Sequence, residues 1–229
     1  MKLSGMIRAF KAILESPNDL TSDEIVAHLT DAEWDDRYNR RLHKLIKNAK
    51  FRFQASLEQV DFQKDRNLNK NDIIRFSSCD WIQKGQNIII TGPTGAGKSF
   101  IACMLGNKAC QEGYSILYFN CMKLFRNLSY AKIDGTYSRE INRIQKQDLL
   151  ILDDFGLEKL DQQSRMILLE ILEDREGRKS TIFSTQLPPD NWHEIIGEPT
   201  VADAICDRLI HQAHKIDLHG ESMRKKIRN

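Results

Sequence analysis

The strongest chemical pattern in the sequence is a loop that could bind phosphate. The pattern G-x-x-x-x-G-K-[ST] is matched by Gly92, Pro93, Thr94, Gly95, Ala96, Gly97, Lys98 and Ser99. Backbone N–H groups of such loops surround the β-phosphate, so we expect Lys98 to reach the β- and γ-phosphates and Ser99 to bind Mg²⁺. The apolar run 87–91 and the helical pattern 100–110 flank the loop and favour this interpretation over a ligand-free turn. The sequence therefore predicts binding of ATP with Mg²⁺.

A second apolar run, 149–152, ends in two adjacent carboxylates. We expect Asp153 to hold the Mg²⁺ shell and Asp154 to orient or deprotonate the attacking water, which together would permit ATP hydrolysis. The alternative is an acidic turn that caps the following helix. Because Asp154 is one methylene shorter than the glutamate usual in related ATPases, slow or triggered hydrolysis remains an option.

Two further segments supply candidates that could contact the γ-phosphate. The strand pattern 180–185 ends in polar groups, and we take Gln186 as the first sensor candidate and Thr185 as the second. The alternative is that these groups cap the turn before Pro188. Arg208 lies late in a helical pattern, where it could pair with its own helix or act as an arginine finger in a neighbouring subunit. The residues alone leave both options for Arg208 open.

The segment 37–52 carries seven basic residues and no acidic one. At 100° per residue, one helix face holds Arg37, Arg40, Arg41, Lys44 and Lys47, opposite the apolar positions. A face with one sign of charge favours binding to the phosphates of duplex DNA, and the alternatives are a solvated face and an acidic protein partner. We expect this helix to run from about residue 32 to residue 57, so that the acidic residues at 31–36 lie at its N-terminus.

The order of apolar and helical patterns predicts an α/β protein. Strand patterns that alternate with helical patterns lie at 88–91, 115–120, 148–153, 180–185 and 215–218. Near-continuous apolar strands separated by helices indicate a parallel sheet covered on both faces. We therefore predict a small all-helical domain at 1–60, a linker at 61–72, and a three-layer nucleotide-binding domain at 73–229 with a parallel five-stranded sheet.

The composition argues against several other classes of protein. No apolar stretch approaches the roughly 20 residues that cross a bilayer, and the N-terminus has no secretion signal, so we expect a cytoplasmic protein without a membrane partner. The five cysteines include no C-x-x-C pair, so we expect buried, reduced thiols rather than zinc ligands or disulfides.

Short motifs along the whole chain resemble one known family. Besides the two motifs above, they are 3–6, 33–34, 39–42, 79–82, 186–188, 192–194, 202–205, 207–209 and 220–225. This combination resembles the IstB-type helper ATPases of insertion-sequence transposition, relatives of the DnaC helicase loader within the AAA+ class of P-loop ATPases. The resemblance implies a helical N-terminal domain and an AAA+ core without a C-terminal helical lid. It also implies that Arg208 is an arginine finger that acts in trans and that Arg224 is a second sensor at the nucleotide.

The same resemblance implies a function. Such a protein would be an ATP-dependent regulator that assembles as a homo-oligomer on double-stranded DNA, engages its cognate transposase and helps to choose the target. One departure from the family pattern is Ser184-Thr185-Gln186, where the order Thr-Ser-Gln is commoner. The main alternative is a DnaC-like loader of a replicative helicase. A P-loop kinase and a DNA-binding scaffold with an inactive ATP site are further alternatives.

Overall fold

The computed structural model describes residues 2–15, 20–62, 66–210, 213–220 and 222–223. The chain forms two compact units, Met1–Lys47 and Asn48–Asn229. The second unit includes the buried residues Ala55, Val60 and Leu68, so it begins before the stretch 61–72. The domain and linker boundaries given above stay predictions. Within the described ranges, no helix combines the length and the apolar character needed to cross a bilayer.

The first unit contains α1, Ser4–Glu15, and most of α2, Ser22–Ala49. At the start of α2, the Glu24 backbone N–H donates to the Thr21 hydroxyl, and the Thr21 backbone N–H donates to the Glu24 carboxylate. Residues 22–49 contain no Gly or Pro, so nothing interrupts the helix. The prediction of a helix that starts near residue 32 is therefore wrong, and the acidic residues at 31–36 lie in the middle of α2.

α1 lies close to the backbone of α2 at Gly5. A Cβ atom at Gly5 would lie 2.2 Å from the carbonyl oxygen of Ala32, so only glycine permits this approach. The Gly5 backbone N–H donates to Glu33 Oε2 at 2.9 Å, and Arg8 forms an ion pair with Asp36. The buried Glu33 carboxylate thus accepts from the N-terminus of α1, where helix N–H groups lack intrahelical partners.

The second unit is built on parallel strands. The strands are β1, Asn87–Thr91; β2, Ile116–Asn120; β3, Leu149–Phe155; β4, Ser180–Thr185; and β5, Ala213–Asp217. The helices are α3, Lys70–Ser77; α4, Asp80–Gln83; α5, Lys98–Gln111; α6, Cys121–Ile133; α7, Tyr137–Gln145; α8, Gln162–Arg175; α9, Trp192–Ile196; and α10, Pro199–Ile210. Short 3-10 turns lie at Leu57–Gln59 and Pro189–Asn191.

The strand order is β2-β3-β4-β1-β5, and every neighbouring pair is parallel. β4 therefore lies between β1 and β3. The residues 88–90 and 149–152 are completely buried, and because successive strand residues point to opposite faces, both faces of the sheet are covered. The predicted three-layer α/β fold with a five-stranded parallel sheet is confirmed. The carboxyl ends of all five strands meet at one edge, where such folds bind ligands.

An aromatic cluster supports the ends of β3 and β4. The ring of Phe155 meets those of Phe183 and Trp192 edge-on, with centroid distances of 5.4 and 5.0 Å. All five cysteines are buried free thiols, as predicted. Burial raises the pKa of the Cys103 thiol to about 11, which keeps it protonated and unreactive at neutral pH.

Candidate nucleotide-binding site

The loop 92–99 joins β1 to α5 at the carboxyl edge of the sheet. Gly92 and Gly97 have φ values of +141° and +96°, which residues with a side chain rarely adopt. A Cβ atom at Gly92 would also lie 2.3 Å from the carbonyl oxygen of Leu218. The last two residues of the loop motif, Lys98 and Ser99, already belong to α5, a helix of 14 residues. The N–H groups at the N-terminus of this helix favour an anion.

Lys98 and Ser99 extend from the loop in different directions. Lys98 is buried, and its ammonium group donates to the carbonyl oxygens of Gly92 and Pro93 at 2.8 and 2.9 Å. Its positive charge therefore lies against the loop backbone. Ser99 Oγ donates to Asp153 Oδ1 at 2.9 Å, so the structure brings the loop and the acidic end of β3 together.

The Asp153 carboxylate is completely buried among hydroxyl groups from three elements. Ser99 of α5 and Ser184 of β4 donate to Oδ1, and Tyr118 of β2 donates to Oδ2. Burial and the neighbouring carboxylate raise the pKa of Tyr118 well above its usual value, so the phenol remains a donor. We assigned no role to Tyr118 from the sequence; a polar group near the end of an apolar strand was the only signal.

Asp154 has a left-handed backbone conformation, with a φ of +58°. The pairing of β3 with β4 shifts at this point, between Leu152 and Phe155. Neighbouring residues of a regular strand point to opposite faces, but at this irregularity Asp153 and Asp154 both lie within reach of one side chain, that of Arg52. Asn120, at the end of β2, donates to Asp154 Oδ2 at 3.0 Å.

Arg52 lies at this acidic pair. Its Nη1 is 3.5 Å from Asp153 Oδ2 and 3.3 Å from Asp154 Oδ2. The guanidinium also lies over the ring of Phe53, 5.4 Å from the centroid. α2 ends at Ala49, before Arg52 is reached, so grouping Arg52 with the basic residues of that helical segment is wrong.

A cavity of about 340 Å³ opens beside the loop and the acidic pair. Residues from outside the loop that line it include Arg52, Phe53, Gln59, Asp61, Arg66 and Gln186. Arg66 is buried and donates to the carbonyl oxygens of Asp61 and Ala96, so it ties this segment to the loop. We had no signal for this contribution in the sequence, because Arg66 lies within a stretch whose polar composition is typical of linkers.

The two sensor candidates differ in position. Gln186 is exposed and lines the cavity. Thr185 is buried, and its hydroxyl accepts a hydrogen bond from the Leu187 backbone N–H at 3.1 Å. The structure therefore brings Gln186 to the cavity, whereas Thr185 takes part in the turn before Pro188. The sensor roles of both residues stay predictions.

Arg208 lies on α10, away from the cavity of its own chain. It forms ion pairs with Glu173 of α8 and with Glu176, the residue that follows this helix, each at 3.2 Å. Its backbone carbonyl accepts from Asn87, the first residue of β1. Because the phosphate-binding loop follows the last residue of β1, Arg208 lies at the opposite edge of the sheet. Arg224 lies outside the described residues.

The basic face of α2 is exposed and partly paired within the helix. Its members are Arg37, Arg40, Arg41, Lys44 and Lys47. Arg37 forms an ion pair with Glu33 at 2.7 Å, and Arg40 forms one with Asp36 at 2.8 Å. The hydrogen bond from Arg37 lowers the pKa of Glu33. Lys44 lies about 12 Å further along the helix than Asp36, at a rise of roughly 1.5 Å per residue.

The groups at the loop suit a nucleoside triphosphate with a hard divalent cation. Lys98 and the N–H groups at the start of α5 supply positive potential for phosphates. Ser99 Oγ and Asp153 Oδ1 are two oxygen atoms, 2.9 Å apart, that would serve as ligands for such a cation. Mg²⁺ prefers oxygen ligands and usually takes only one or two from the protein. The donor set therefore fits ATP with Mg²⁺.

A parallel sheet of this order, with a phosphate-binding loop after β1 and paired carboxylates near the end of β3, defines a P-loop ATPase of the AAA+ class. Residues 1–229 match the family described as IstB-like ATP binding protein, and the chain belongs to this family. An insertion sequence ATP-binding protein of Sinorhizobium fredii is 47% identical over 230 residues, which cover 100% of this chain and 94% of that protein. The ATP-binding protein of insertion sequence IS1162 from Pseudomonas fluorescens is 41% identical over 191 residues, 82% of this chain and 83% of that protein.

Three solved structures illustrate the similarity in fold. DnaI superposes with a TM-score of 0.62 at 23% identity, covering 77% of this chain and 93% of that chain. The DnaC helicase loader gives a TM-score of 0.61 at 19% identity, covering 72% of this chain and 97% of that chain. DnaA bound to AMPPCP and single-stranded DNA gives a TM-score of 0.63 at 18% identity, covering 78% of this chain and 54% of that chain. At these identities the similarity shows the fold alone.

Proposed function

We propose that this protein is an ATP-dependent, DNA-binding regulator of transposition, which assembles on duplex DNA, hydrolyses ATP and engages a transposase. The observation that carries the proposal is the family match over the whole chain, with relatives named insertion sequence ATP-binding proteins. The cavity at the loop and the basic face of α2 supply the two binding surfaces that such a protein needs.

The ATPase part of the proposal gives each polar group at the loop one task. Lys98 binds the β- and γ-phosphates, and Ser99 and Asp153 hold Mg²⁺, which when bound neutralises charge on the phosphates. Asp154 orients a water molecule toward the γ-phosphorus and accepts its proton. Tyr118 donates to Asp153 and so keeps this carboxylate oriented.

Gln186 and Arg208 complete the proposed site in different ways. Gln186 lines the cavity of its own chain, so it would contact the γ-phosphate in cis. Arg208 lies at the other edge of the sheet, so it would reach a γ-phosphate only in a neighbouring chain. Arg208 would then break its ion pairs with Glu173 and Glu176 and bind the phosphate instead, which is negatively charged as the two glutamates are. Hydrolysis should therefore require assembly.

The basic face of α2 supports binding to duplex DNA. Phosphates carry no base identity, so we expect little sequence preference. To contact DNA phosphates, Arg37 and Arg40 would have to break their ion pairs with Glu33 and Asp36. The loss of these ion pairs would offset part of the binding free energy. Each chain offers few phosphate contacts, so tight binding at physiological salt requires several chains bound side by side.

The test combines duplex binding and ATP turnover. Fluorescence anisotropy of a labelled duplex is measured with ATP, with ADP and without nucleotide, and phosphate release is measured with and without the duplex. We expect tight binding only with ATP, and faster turnover when the duplex is present. Binding that ignores the nucleotide would contradict ATP-driven assembly, and no turnover under any condition would leave a scaffold without ATPase activity.

The choice of partner separates transposition from helicase loading. The protein, with ATP and duplex DNA, is mixed with the transposase of the same insertion sequence and, separately, with the replicative helicase of the same cell. We expect co-sedimentation with the transposase. Capture of the helicase instead would replace our proposal with the loader function.

A further inference from the structure

We infer that Arg52 is an internal cation that competes with Mg²⁺ for the pair Asp153–Asp154 and thereby sets the Mg²⁺ concentration at which nucleotide binds tightly. The inference rests on the proposed function, because it takes Ser99 and Asp153 as the Mg²⁺ site. Arg52 is then a positioning residue, which acts through the two carboxylates.

The guanidinium occupies the side of the acidic pair that faces away from Ser99. Asp153 Oδ1 accepts from Ser99 at 2.9 Å, whereas Oδ2 lies 3.5 Å from Arg52 Nη1. The same Nη1 lies 3.3 Å from Asp154 Oδ2. One cation therefore balances two adjacent carboxylates. Because Asp153 is completely buried, leaving it without a nearby cation would be costly.

The backbone around Arg52 is fixed on α5, the helix that begins at the loop. Phe51 packs at Gly106, where a Cβ atom would lie 2.6 Å from Phe51 Cε1. Asn107 Nδ2 donates to the Ala55 carbonyl oxygen at 2.9 Å. These contacts hold the segment in place, so that the side chain of Arg52 always begins within reach of the acidic pair.

The side chain itself is free to leave. It is 41% exposed, so the guanidinium can move from the carboxylates into solvent without leaving a fully buried position. A divalent cation at Ser99 and Asp153 would place like charges within a few ångströms of each other, which is unfavourable. Binding of Mg²⁺ and retention of Arg52 on Asp153 therefore oppose each other.

The test measures the affinity for a fluorescent ADP analogue as a function of free Mg²⁺, so that hydrolysis plays no part. In Arg52→Gln the competing charge is absent, and we expect half-maximal binding at about 3- to 10-fold lower Mg²⁺, a modest factor because the group is partly exposed. Arg52→Lys keeps the charge and should restore much of the wild-type Mg²⁺ requirement. Arg75→Gln is the matched control, because it removes an equal charge from an exposed position on α3.

Three outcomes would overturn the inference. The free Mg²⁺ concentration at half-maximal nucleotide binding, the Mg²⁺ midpoint, could be the same in Arg52→Gln as in the wild type. Alternatively, Arg75→Gln could lower the Mg²⁺ midpoint as much as Arg52→Gln does, which would indicate an effect of net charge. Nucleotide binding in EDTA could be weaker in Arg52→Gln, which would indicate that Arg52 contacts a phosphate directly. If Arg52→Gln does not fold, Arg52→Met carries the test, since it also removes the charge, keeps an unbranched side chain and should lower the midpoint by a similar factor. An unchanged midpoint in that variant would likewise count against the inference.

A stability measurement adds a second readout. Without nucleotide, Mg²⁺ should raise the Tm of Arg52→Gln by more than that of the wild type, because the metal replaces the cation removed from Asp153. An equal rise in both proteins would contradict competition at this site.

A further variant separates this inference from the proposed function. Asp153→Asn should remove the Mg²⁺ dependence of nucleotide binding if Asp153 belongs to the metal site. That result, with no shift in Arg52→Gln, overturns the inference alone. A wild-type Mg²⁺ midpoint in Asp153→Asn instead overturns the proposed metal site.

Discussion

Asp153 and Asp154 are neighbours in the sequence but occupy different environments. Asp153 is completely buried among hydroxyl donors, whereas Asp154 is partly exposed and lines the cavity. A carboxylate held by several hydrogen bonds suits a metal ligand, and a carboxylate that borders the cavity suits a base. The two environments thus give a physical reason for the two tasks that we propose.

We expect Asp154→Asn to bind ATP as the wild type does and to hydrolyse it at least about 100-fold more slowly, because general-base catalysis contributes roughly that factor or more. Lys98→Ala should instead weaken ATP binding about 10- to 100-fold, since it removes charged hydrogen bonds to phosphate. Filter binding and phosphate release measure the two effects. Glu158→Gln, an exposed carboxylate beyond β3, is the control. Wild-type turnover in Asp154→Asn would show that the base is elsewhere.

The loop and the acidic pair were predictable because each is a short pattern in consecutive residues. Tyr118, Arg52 and Arg66 were not, because each comes from a separate segment and reaches the site only through the fold. Tyr118 lies on β2, and it is the parallel pairing of β2 with β3 that makes this strand a neighbour of the acidic pair. No local spacing in the sequence marks that neighbour as part of the site.

At the scale of elements, α2 shows what periodicity does and does not reveal. The five basic residues share one face because they are spaced at helical intervals and α2 is a continuous helix over all of them. The helix start is 10 residues earlier than residue 32, because the capping pair Thr21 and Glu24 begins the helix at Ser22. Two of the acidic residues that we took as a start signal, Glu33 and Asp36, instead contact α1 and the neighbouring arginines.

We expect the double variant Lys44→Ala with Lys47→Ala to weaken duplex binding and to flatten its salt dependence, by about 0.9 in the log–log slope for each DNA phosphate that the variant no longer neutralises. ATP binding should be unchanged. These two lysines are informative because Arg37 and Arg40 already have carboxylate partners. Anisotropy is measured over a range of salt concentrations with ATP present.

The matched control for that experiment is Lys2→Ala with Lys11→Ala, which removes two exposed charges from the same unit but outside the basic face. If both double variants weaken duplex binding by the same factor, net charge rather than the basic face is responsible. Equal slopes for the wild type and Lys44→Ala with Lys47→Ala would return this face to the solvated or protein-binding interpretation.

At the scale of the whole molecule, the proposed catalytic groups lie at two opposite edges of one sheet. The loop and the acidic pair are at the carboxyl edge, and Arg208 is at the amino edge. The site that we propose is therefore complete only where the amino edge of one chain meets the carboxyl edge of the next. Such contacts are heterologous, so they produce rings or open helical filaments rather than closed dimers.

We expect Arg208→Ala and Asp154→Asn to be inactive alone and to recover part of the activity when mixed. In an equal mixture, about a quarter of the interfaces would join an intact base to an intact arginine, and hydrolysis should rise toward that fraction of the wild-type rate. Phosphate release is measured after subunit exchange, with ATP and duplex DNA. A mixture that stays inactive although the subunits have exchanged argues against the action of Arg208 in trans.

The backbone at Asp154 constrains which carboxylate this chain can use there. Left-handed φ values are adopted mainly by Gly, Asn and Asp, whereas a longer side chain such as Glu is disfavoured. We expect Asp154→Glu to lower the free energy of unfolding by about 1 kcal/mol, and Asp154→Asn to incur no such conformational penalty. Urea denaturation compares the two variants, and equal midpoints would refute the conformational explanation. The longer carboxylate therefore carries a conformational cost in this chain, and only a change of backbone at the end of β3 would remove that cost.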